Sequence, residues 1–314
     1  MRRMKATAGL MLAAFVMAAA PAGAATGFTS FWALGDSLTD DGNLFAATGG
    51  TTPAPPYFDG RFSNGPVWAE HVSTDFEARG LGAENFAFGG ATVGPNPAVP
   101  NLGGQIQNFA LGSQGRLGAR PVASLWFGAN DVIAGVDAGA ARAFGRAAAN
   151  GVAAGALELA ALGVEDVVIF NLPALDRTPF FDLFGTPEAA ERARRGTLAF
   201  NRTLDVRIHE LRGTGLNVIE IDMYGLFNAL LDDPTQFGVL DATNPCYVPD
   251  AFYCGEPAAQ ALAFFDPVHP NSVIHSAIAD VVRGEVAPVP VPAPVLLLLV
   301  GMFALGAVAR RRAG

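Results

Sequence analysis

Lysine is almost missing from this chain of 314 residues, in which Lys5 is the single example and every other basic residue is an arginine. A Walker A phosphate-binding loop needs a lysine after its glycine-rich turn, and the body of the chain has none to offer. The dinucleotide-binding pattern G-x-G-x-x-G does not occur either. The sequence therefore argues against chemistry that depends on a bound nucleotide.

Residues that bind metals through nitrogen or sulfur are equally scarce. The chain has 4 histidines and 2 cysteines, with no H-E-x-x-H motif and none of the paired cysteine spacings of zinc sites. We therefore expect no metal site and no cofactor.

Basic charge is in the minority, with 20 Lys+Arg against 29 Asp+Glu and a net charge of −9. Six of the basic residues lie in two terminal clusters, at positions 2–5 and 310–312, and without them the net charge is −15. So acidic a body is a poor partner for nucleic acid or for an anionic membrane surface, and it argues against nucleic-acid binding as the function. A hydrophobic fraction of 51% is nevertheless ample for a packed core.

The first 25 residues predict a secretory signal peptide. Arg2, Arg3 and Lys5 form a basic start, an apolar run follows at 10–20, and small residues at 22–24 suit cleavage. The remaining body is therefore expected to be exported.

The other end of the chain predicts a second targeting segment. Prolines alternate with small apolar residues in a spacer at 286–294, and 295–309 then carries no charge before three arginines. At ~1.5 Å per residue this run covers about 22 Å, short of the ~30 Å hydrocarbon core unless arginines snorkel. The tail at 295–314 resembles VPLPA/PEP-CTERM sorting tails, which implies membrane retention at the cell envelope and processing by an exosortase-type enzyme. The alternative is a buried core helix.

The body at 26–285 has the pattern of one α/β domain. Short apolar runs bounded by turn residues predict strands, and Ala-rich or charged amphipathic stretches between them predict helices at 138–162 and 187–211. This alternation favours a parallel, doubly wound sheet with its site at the carboxyl ends of the strands. The predicted strands are 28–34, 122–127, 164–170 and 216–221, with a weaker one at 85–88.

Four short motifs fall at the ends of these strands or late in the domain. They are G-D-S-L at 35–38, a segment ending in Gly89 and Gly90, G-A-N-D at 128–131 and D-P-V-H at 266–269. Taken alone, G-D-S-L also fits a turn or helix cap, and it misses the G-x-S-x-G nucleophile elbow because Thr39 takes the last position. Its weight comes from the conjunction with the other three.

Together these motifs resemble the GDSL, or SGNH, hydrolase superfamily. Asp41-Gly42-Asn43 and the block at 60–68 are similar to its lecithinase/hemolysin-type branch. The resemblance covers about 28–282 and implies a three-layer α/β/α flavodoxin-like fold with a mostly parallel sheet. It also implies a serine hydrolase that needs no cofactor.

The resemblance and the chemistry assign the same catalytic residues. Ser37 needs a base within hydrogen-bond reach, and of the four histidines His269 suits that role by elimination as well as by resemblance. Asp266, three residues earlier, can orient the imidazole. By resemblance the oxyanion donors are the backbone N–H groups of Ser37 and Gly90 and the side chain of Asn130, with Gly89 as an alternative. Asp36, Asp131 and His275 are interpreted as structural.

The leading hypothesis is an exported serine esterase or lipase that acts on carboxylic esters, including the acyl esters of phospholipids. A carbohydrate O-deacetylase or an acyltransferase on the same scaffold is the nearest alternative, because the triad does not determine the acyl group or its acceptor. A surface-anchored binding module without turnover is the alternative from another class. Export also predicts a disulfide between Cys246 and Cys254.

Overall fold

The structure is a computed structural model, and it describes residues 27–287. The predicted signal peptide, the sorting tail and all but the first residues of the spacer lie outside the described residues. Within 27–287, no helix has both the length and the apolar character needed to cross a membrane.

Five parallel strands form the central sheet, in the order β2-β1-β3-β4-β5. Every residue of the first, third and fourth strands is buried, because helices cover both faces of the sheet, and most residues of these strands are therefore apolar. The predicted parallel α/β fold is confirmed. The strands are β1 (Ser30–Gly35), β2 (Gly82–Asn85), β3 (Pro121–Trp126), β4 (Asp166–Phe170) and β5 (Asn217–Ile221).

Nine α-helices occur in the described part of the chain, and the long ones divide between the two faces of the sheet. One core cluster, with Phe109, Val152 and Leu204, lies under α3, α5 and α7. The other, with Phe76, Phe227 and Ile278, lies under α2, α8 and α9. The helices are α1 (Asn43–Ala47), α2 (Trp68–Glu77), α3 (Leu102–Gly112), α4 (Ala129–Asp137), α5 (Ala141–Ala161), α6 (Pro179–Phe184), α7 (Pro187–Gly213), α8 (Met223–Asp232) and α9 (Ser272–Glu285).

The direction of the connecting helices follows from the parallel strands. Helix α5 ends at Ala161 just before β4 begins at Asp166, and α7 ends at Gly213 just before β5 begins at Asn217. Both helices therefore start at the carboxyl edge of the sheet and return to its amino edge. They correspond to the helices predicted at 138–162 and 187–211.

Four short strands and two of the three 3₁₀ turns lie in the connection between α8 and α9, and the third turn, Leu175–Arg177, lies between β4 and α6. This region bears directly on the site, because it leads into the segment at 266–269. The strands are β6 (Asp241–Pro245), β7 (Tyr247–Val248), β8 (Phe252–Tyr253) and β9 (Leu262–Phe264), and the turns are Leu175–Arg177, Pro234–Phe237 and Ala258–Ala261.

The weak strand predicted at 85–88 is wrong in position, because β2 is Gly82–Asn85. The Asn85 side chain accepts a hydrogen bond from the Ala87 N–H at 2.9 Å, and this Asx turn ends the strand. Its edge position leaves β2 half-buried, which weakens the apolar pattern. Phe86 is buried in the core just after the strand, and its apolar character shifted the predicted strand toward the carboxyl end of the chain.

Cys246 and Cys254 form the predicted disulfide, with their Cα atoms 5.0 Å apart. Cys246 is fully buried against Ala259 and Phe265, and its N–H donates to the Phe264 carbonyl at 3.1 Å. The bridge therefore stabilises the chain directly before Asp266.

Replacing both cysteines by serine should destabilise the domain by about 2–3 kcal/mol, because the closed loop restricts the unfolded chain. For a domain of this size we expect the melting temperature to fall by about 5–10 °C. Thermal unfolding of oxidised wild type and the Cys246→Ser/Cys254→Ser variant measures this, and a reductant should affect the wild type alone. Equal melting temperatures would refute a stabilising bridge.

Candidate active site

Three side chains from distant parts of the sequence lie in a hydrogen-bonded row. The Ser37 Oγ is 2.8 Å from Nε2 of His269, and Nδ1 of His269 is 2.6 Å from Oδ2 of Asp266. Ser37 follows β1 directly, whereas Asp266 and His269 lie between β9 and α9. The structure thus brings together the three residues that the sequence proposes as a triad.

The local fold of the D-P-V-H segment orients the imidazole. Oδ1 of Asp266 accepts hydrogen bonds from the backbone N–H groups of Val268 and His269, both at 2.7 Å. Oδ1 of Asp266 therefore stabilises the turn from Asp266 to His269, while Oδ2 stays available to the imidazole. A spacing of three residues allows one carboxylate to make both sets of contacts.

Burial and charge act against each other at this pair. Burial would raise the pKa of Asp266, but the charged imidazolium and the hydrogen bonds outweigh it and hold that pKa below its usual range. Burial would likewise lower the pKa of His269, yet the adjacent Asp266 carboxylate raises it above the ordinary histidine value. The pair is therefore built to stabilise a protonated imidazole beside an ionised carboxylate.

Three hydrogen-bond donors surround the mouth of the site near Ser37. The backbone N–H groups of Ser37 and Gly90 have no acceptor among the described residues. Asn130 donates one amide hydrogen to the Ala91 carbonyl at 2.8 Å, which leaves its second amide hydrogen available. Such a set of donors suits an oxyanion.

The choice between Gly89 and Gly90 depends on Asp40. The Gly89 N–H donates to Oδ2 of Asp40 at 2.7 Å, so this group is already engaged. Gly90 has a φ of +78°, in the left-handed region that glycine tolerates best. The geometry therefore favours Gly90 as the donor.

A cavity of about 340 Å³ opens beside Ser37 and His269. Gly90 and Asn130 form part of its polar wall. Most of the other walls are apolar, as in sites that take an apolar ligand with a few polar anchors. The apolar lining residues include Leu44, Phe62, Ile133, Pro173, Leu175, Phe180, Phe227 and Val268.

A sequence model described as GDSL-like Lipase/Acylhydrolase matches residues 32–282. The chain belongs to this family. It is 28% identical over 273 residues to a thermolabile hemolysin of Vibrio parahaemolyticus, covering 79% of this chain and 61% of that protein. It is 28% identical over 310 residues to a phosphatidylcholine-sterol acyltransferase of Aeromonas hydrophila, covering 81% and 88% respectively. The chain therefore spans about three fifths of the first relative and most of the second.

Solved structures also resemble this GDSL-type chain. An acetylxylan esterase of Geobacillus stearothermophilus matches with a TM-score of 0.45 and 18% identity, covering 84% of this chain and 96% of that one.

Several supporting residues of this GDSL-type site escape sequence reasoning. Asp40 is buried and accepts hydrogen bonds from the N–H groups of Gly42, Asn43 and Gly89. It therefore joins the turn after Ser37 to the loop that contains Gly89 and Gly90, here called the glycine loop. Gln105 accepts from the Gly35 N–H at 3.0 Å and donates to the Gly35 carbonyl at 2.8 Å. Both residues contact segments that are distant in the sequence, and a local sequence motif does not reveal such contacts.

The residues interpreted as structural do make structural contacts. Asp131 accepts from the N–H groups of Val93 and Gly94, and Nδ1 of the buried His275 accepts from the Trp68 N–H at 3.3 Å. Burial lowers the pKa of His275 to about 3 and raises that of Asp36 to about 7. No group of three or more potential metal ligands occurs within 27–287.

The block at 60–68 contacts the segment that carries His269. The Phe62 ring lies 5.1 Å from the imidazole, measured between ring centroids. The Ser63 hydroxyl donates to the Pro270 carbonyl at 3.0 Å, and the Asn64 side chain accepts from the Ser272 N–H at 2.8 Å. This block therefore positions the base.

The first helix does not follow the serine directly, since α1 starts only at Asn43. Ser37 lies instead in a turn closed by hydrogen bonds from the Thr39 and Asp40 N–H groups to the Asp36 carbonyl. A helix N-terminus therefore does not act at Ser37.

Tyr57 completes the environment of the triad carboxylate. Its hydroxyl donates to Oδ2 of Asp266 at 2.5 Å, the same oxygen that faces His269. Its ring packs edge-on against Phe62, Tyr247 and Phe265. Tyr57 is 209 residues from Asp266 in the sequence, so no spacing could have identified it.

Tyr57→Phe should move the acid limb of kcat/KM to higher pH. Activity requires neutral His269 and is lost as the pH falls through its pKa, which the Asp266 carboxylate raises. Without the Tyr57 donor, more of the carboxylate charge acts on the imidazolium, and the pKa of His269 rises further. The plateau should fall by about three- to tenfold, the effect of one hydrogen bond of about 1 kcal/mol or slightly more.

Tyr247→Phe is the matched control, because Tyr247 packs against Tyr57 but makes no hydrogen bond to Asp266. Its pH profile should equal that of the wild type. An acid limb for Tyr57→Phe that stays in place or moves to lower pH would show that Tyr57 does not act on the pair.

Proposed function

We propose that the protein hydrolyses carboxylic esters through a covalent acyl intermediate on Ser37. The observation that carries the proposal is the hydrogen-bonded row of Ser37, His269 and Asp266 at the wall of an apolar cavity. Membership of the GDSL-like lipase/acylhydrolase family agrees with it.

In the proposed mechanism the Ser37 hydroxyl attacks the ester carbonyl while Nε2 of His269 takes its proton. The oxyanion accepts hydrogen bonds from the N–H groups of Ser37 and Gly90 and from the Asn130 amide. His269 then protonates the departing alkoxide, and the alcohol leaves. A water molecule, deprotonated by the same imidazole, releases the acid from Ser37. Asp266 stays ionised throughout and stabilises the charged imidazole.

The cavity walls support an acyl group longer than acetyl. Leu175, Ile133 and Phe180 are among the apolar side chains that an acyl chain would contact beyond the carbonyl carbon. Each buried methylene contributes about 0.8 kcal/mol, so kcat/KM should rise with chain length until the cavity is full.

A p-nitrophenyl ester series from acetate to palmitate tests the proposal, run beside a phospholipid and an acetylated glycan. We expect a maximum above acetate. A maximum at acetate, with turnover of the glycan, would favour the carbohydrate O-deacetylase. No turnover of any ester by folded protein would reject the function.

Acyl transfer is the second candidate, because a relative that matches over 88% of its own length is a phosphatidylcholine-sterol acyltransferase. The same acyl-enzyme would pass its acyl group to an alcohol in place of water. The series repeated with a sterol or a short alcohol distinguishes the two, since transfer produces a new ester and hydrolysis produces the free acid.

We also propose that the protein is exported and held at the cell envelope by its C-terminal segment. Support comes from the residue patterns at 1–25 and 286–314 alone. The Phe28 N–H donates to the Ala287 carbonyl at 3.3 Å, so a truncation is best made after Ala287. This shortened chain should remain active and leave the envelope fraction, whereas an inactive or insoluble product would favour a core helix.

A further inference from the structure

A cleft lined by arginines lies between the first turns of α5 and α7. Arg142, Arg146, Arg192 and Arg195 line its volume of about 400 Å³, and none of its lining residues is acidic. Because both helices begin at the carboxyl edge of the sheet, the cleft lies at the same edge as Ser37. Four arginines thus lie around one cleft of a chain in which acidic residues outnumber basic ones by 29 to 20.

Two of these four arginines, Arg142 and Arg146, have no acidic partner within 27–287. Arg192 makes no ion pair there but interacts electrostatically with Glu188, and its Nε donates to the Val136 carbonyl at 3.2 Å. Arg195 pairs with Glu191 at 2.7 Å. The guanidinium groups that remain free of carboxylates can bind the oxygens of an external anion.

Helix α6, which contacts both α5 and α7, carries two exposed apolar side chains. Leu183 and Phe184 of α6 are 50% and 59% exposed. Phe184 packs against Phe180, whose ring lies in the cavity wall, with ring centroids 5.9 Å apart. On its buried side, α6 inserts Phe181 into a small core with Ala141 of α5 and Ala193 of α7. Helix α6 therefore joins the cleft to the cavity.

We propose that this face, made of the arginine cleft and of Leu183 and Phe184, docks the domain on an anionic lipid surface. The arginines bind headgroup phosphates, and the two apolar side chains enter the boundary between headgroups and acyl chains. Such docking turns the cavity mouth toward the lipid. Docking itself does not depend on the proposed ester hydrolysis. The consequence that the substrates are esters presented in a lipid surface does rest on that proposed function.

The combination of charges and apolar side chains selects the occupant. Free phosphate would use the arginines but would gain nothing from Leu183 and Phe184, which do not line the cleft. Nucleic acid would also leave Leu183 and Phe184 without apolar contacts. The acidic remainder of the chain disfavours both polyanions, and only a lipid surface offsets this repulsion by burying apolar side chains. An anionic lipid surface engages both halves of the face.

A fluorescent label at Leu183 tests the docking without any need for turnover. Within 27–287 both cysteines are in the disulfide, so Leu183→Cys in the full chain gives one reactive thiol for an environment-sensitive fluorophore. We expect a blue shift and brighter emission with vesicles of phosphatidylcholine and phosphatidylglycerol, and little change with phosphatidylcholine alone.

Leu111→Cys is the matched control, because Leu111 is 71% exposed near the end of α3 at the amino edge of the sheet. Its label should not respond to either vesicle. The apolar C-terminal run is present in all proteins compared, so it cannot explain a difference between the two label positions.

Arg142→Gln/Arg146→Gln should weaken the binding of anionic vesicles, read from the Leu183 label, by about tenfold or more, because each arginine near an anionic surface adds to the binding free energy. Arg202→Gln, at an exposed arginine farther along α7, should leave it unchanged. Hydrolysis of an ester carried in those vesicles should fall in parallel, while hydrolysis of a soluble ester stays constant.

Three outcomes would overturn the docking proposal. They are equal responses at Leu183 and Leu111, no effect of the paired arginine substitution, and full loss of the response with dilute inorganic phosphate at constant ionic strength. The last would identify a site for a free anion. A label response without turnover of any ester would support docking and reject the proposed function alone.

Discussion

Ser37→Ala is expected to abolish nearly all ester hydrolysis while the domain stays folded. The substitution removes the oxygen that attacks the carbonyl, and no other hydroxyl is within hydrogen-bond distance of Nε2 of His269 among the described residues. Loss of a triad nucleophile typically costs about ten-thousand-fold or more in kcat, and the remaining oxyanion donors account for the residual rate. Initial rates on the best p-nitrophenyl ester, together with a thermal melt, measure both parts of the prediction.

Ser124→Ala provides the control for this experiment. Ser124 is a fully buried serine on β3, and its hydroxyl has no hydrogen-bond partner within 27–287. Its removal should leave activity unchanged and stability equal or slightly higher, because an unsatisfied buried hydroxyl is lost. A Ser37→Ala protein with more than about one hundredth of the wild-type rate would exclude Ser37 as the nucleophile.

Asn130→Ala should lower kcat by about a hundred- to a thousandfold with little change in KM. The amide hydrogen of Asn130 that the Ala91 carbonyl does not use would bind the oxyanion, which develops in the transition state and is absent from the bound ester. An interaction made only there affects kcat and leaves substrate binding in place. Steady-state kinetics on the soluble ester give the two constants separately.

Asn96→Ala separates catalysis from loop support. The Asn96 side-chain amide also donates a hydrogen bond to the glycine loop, to the Gly90 carbonyl at 3.0 Å. Asn96 does not line the cavity. If Asn130 served only to hold the loop, both substitutions would reduce kcat to a similar extent. A selective effect of Asn130→Ala, with melting temperatures equal for both variants, assigns it to the oxyanion.

The parts of the fold that were predictable from sequence are those encoded by local pattern. Strands β1, β3 and β4 are buried on both faces, so their residues form continuous apolar runs that end in turn residues. The edge strand β2 has a half-buried pattern, and the prediction moved by three residues to the more apolar segment beyond it. Full burial makes a strand easiest to predict, although the partly exposed edge strand β5 was also predicted, at 216–221.

The candidate site divides in the same way. Ser37, Asn130 and His269 occur in short motifs, so their types and positions can be inferred from the amino-acid sequence alone. Tyr57 and Asp40 act through contacts with residues that are far away in the chain, at Asp266 and Gly89. Two adjacent glycines in the sequence do not indicate which of them donates to the oxyanion. The structure shows that the Gly89 N–H already donates to Asp40, which leaves Gly90 as the donor.

Covalent labelling with a fluorophosphonate tests most directly whether Ser37 is the nucleophile of a serine hydrolase. The folded full chain should form a single adduct, and peptide mapping should place it on Ser37. Ser37→Ala should not be labelled, and His269→Ala should be labelled slowly because its serine has lost the base. Folded wild type that forms no adduct would contradict the assignment and favour a non-catalytic binding module, and labelling that persists in Ser37→Ala would locate the nucleophile elsewhere.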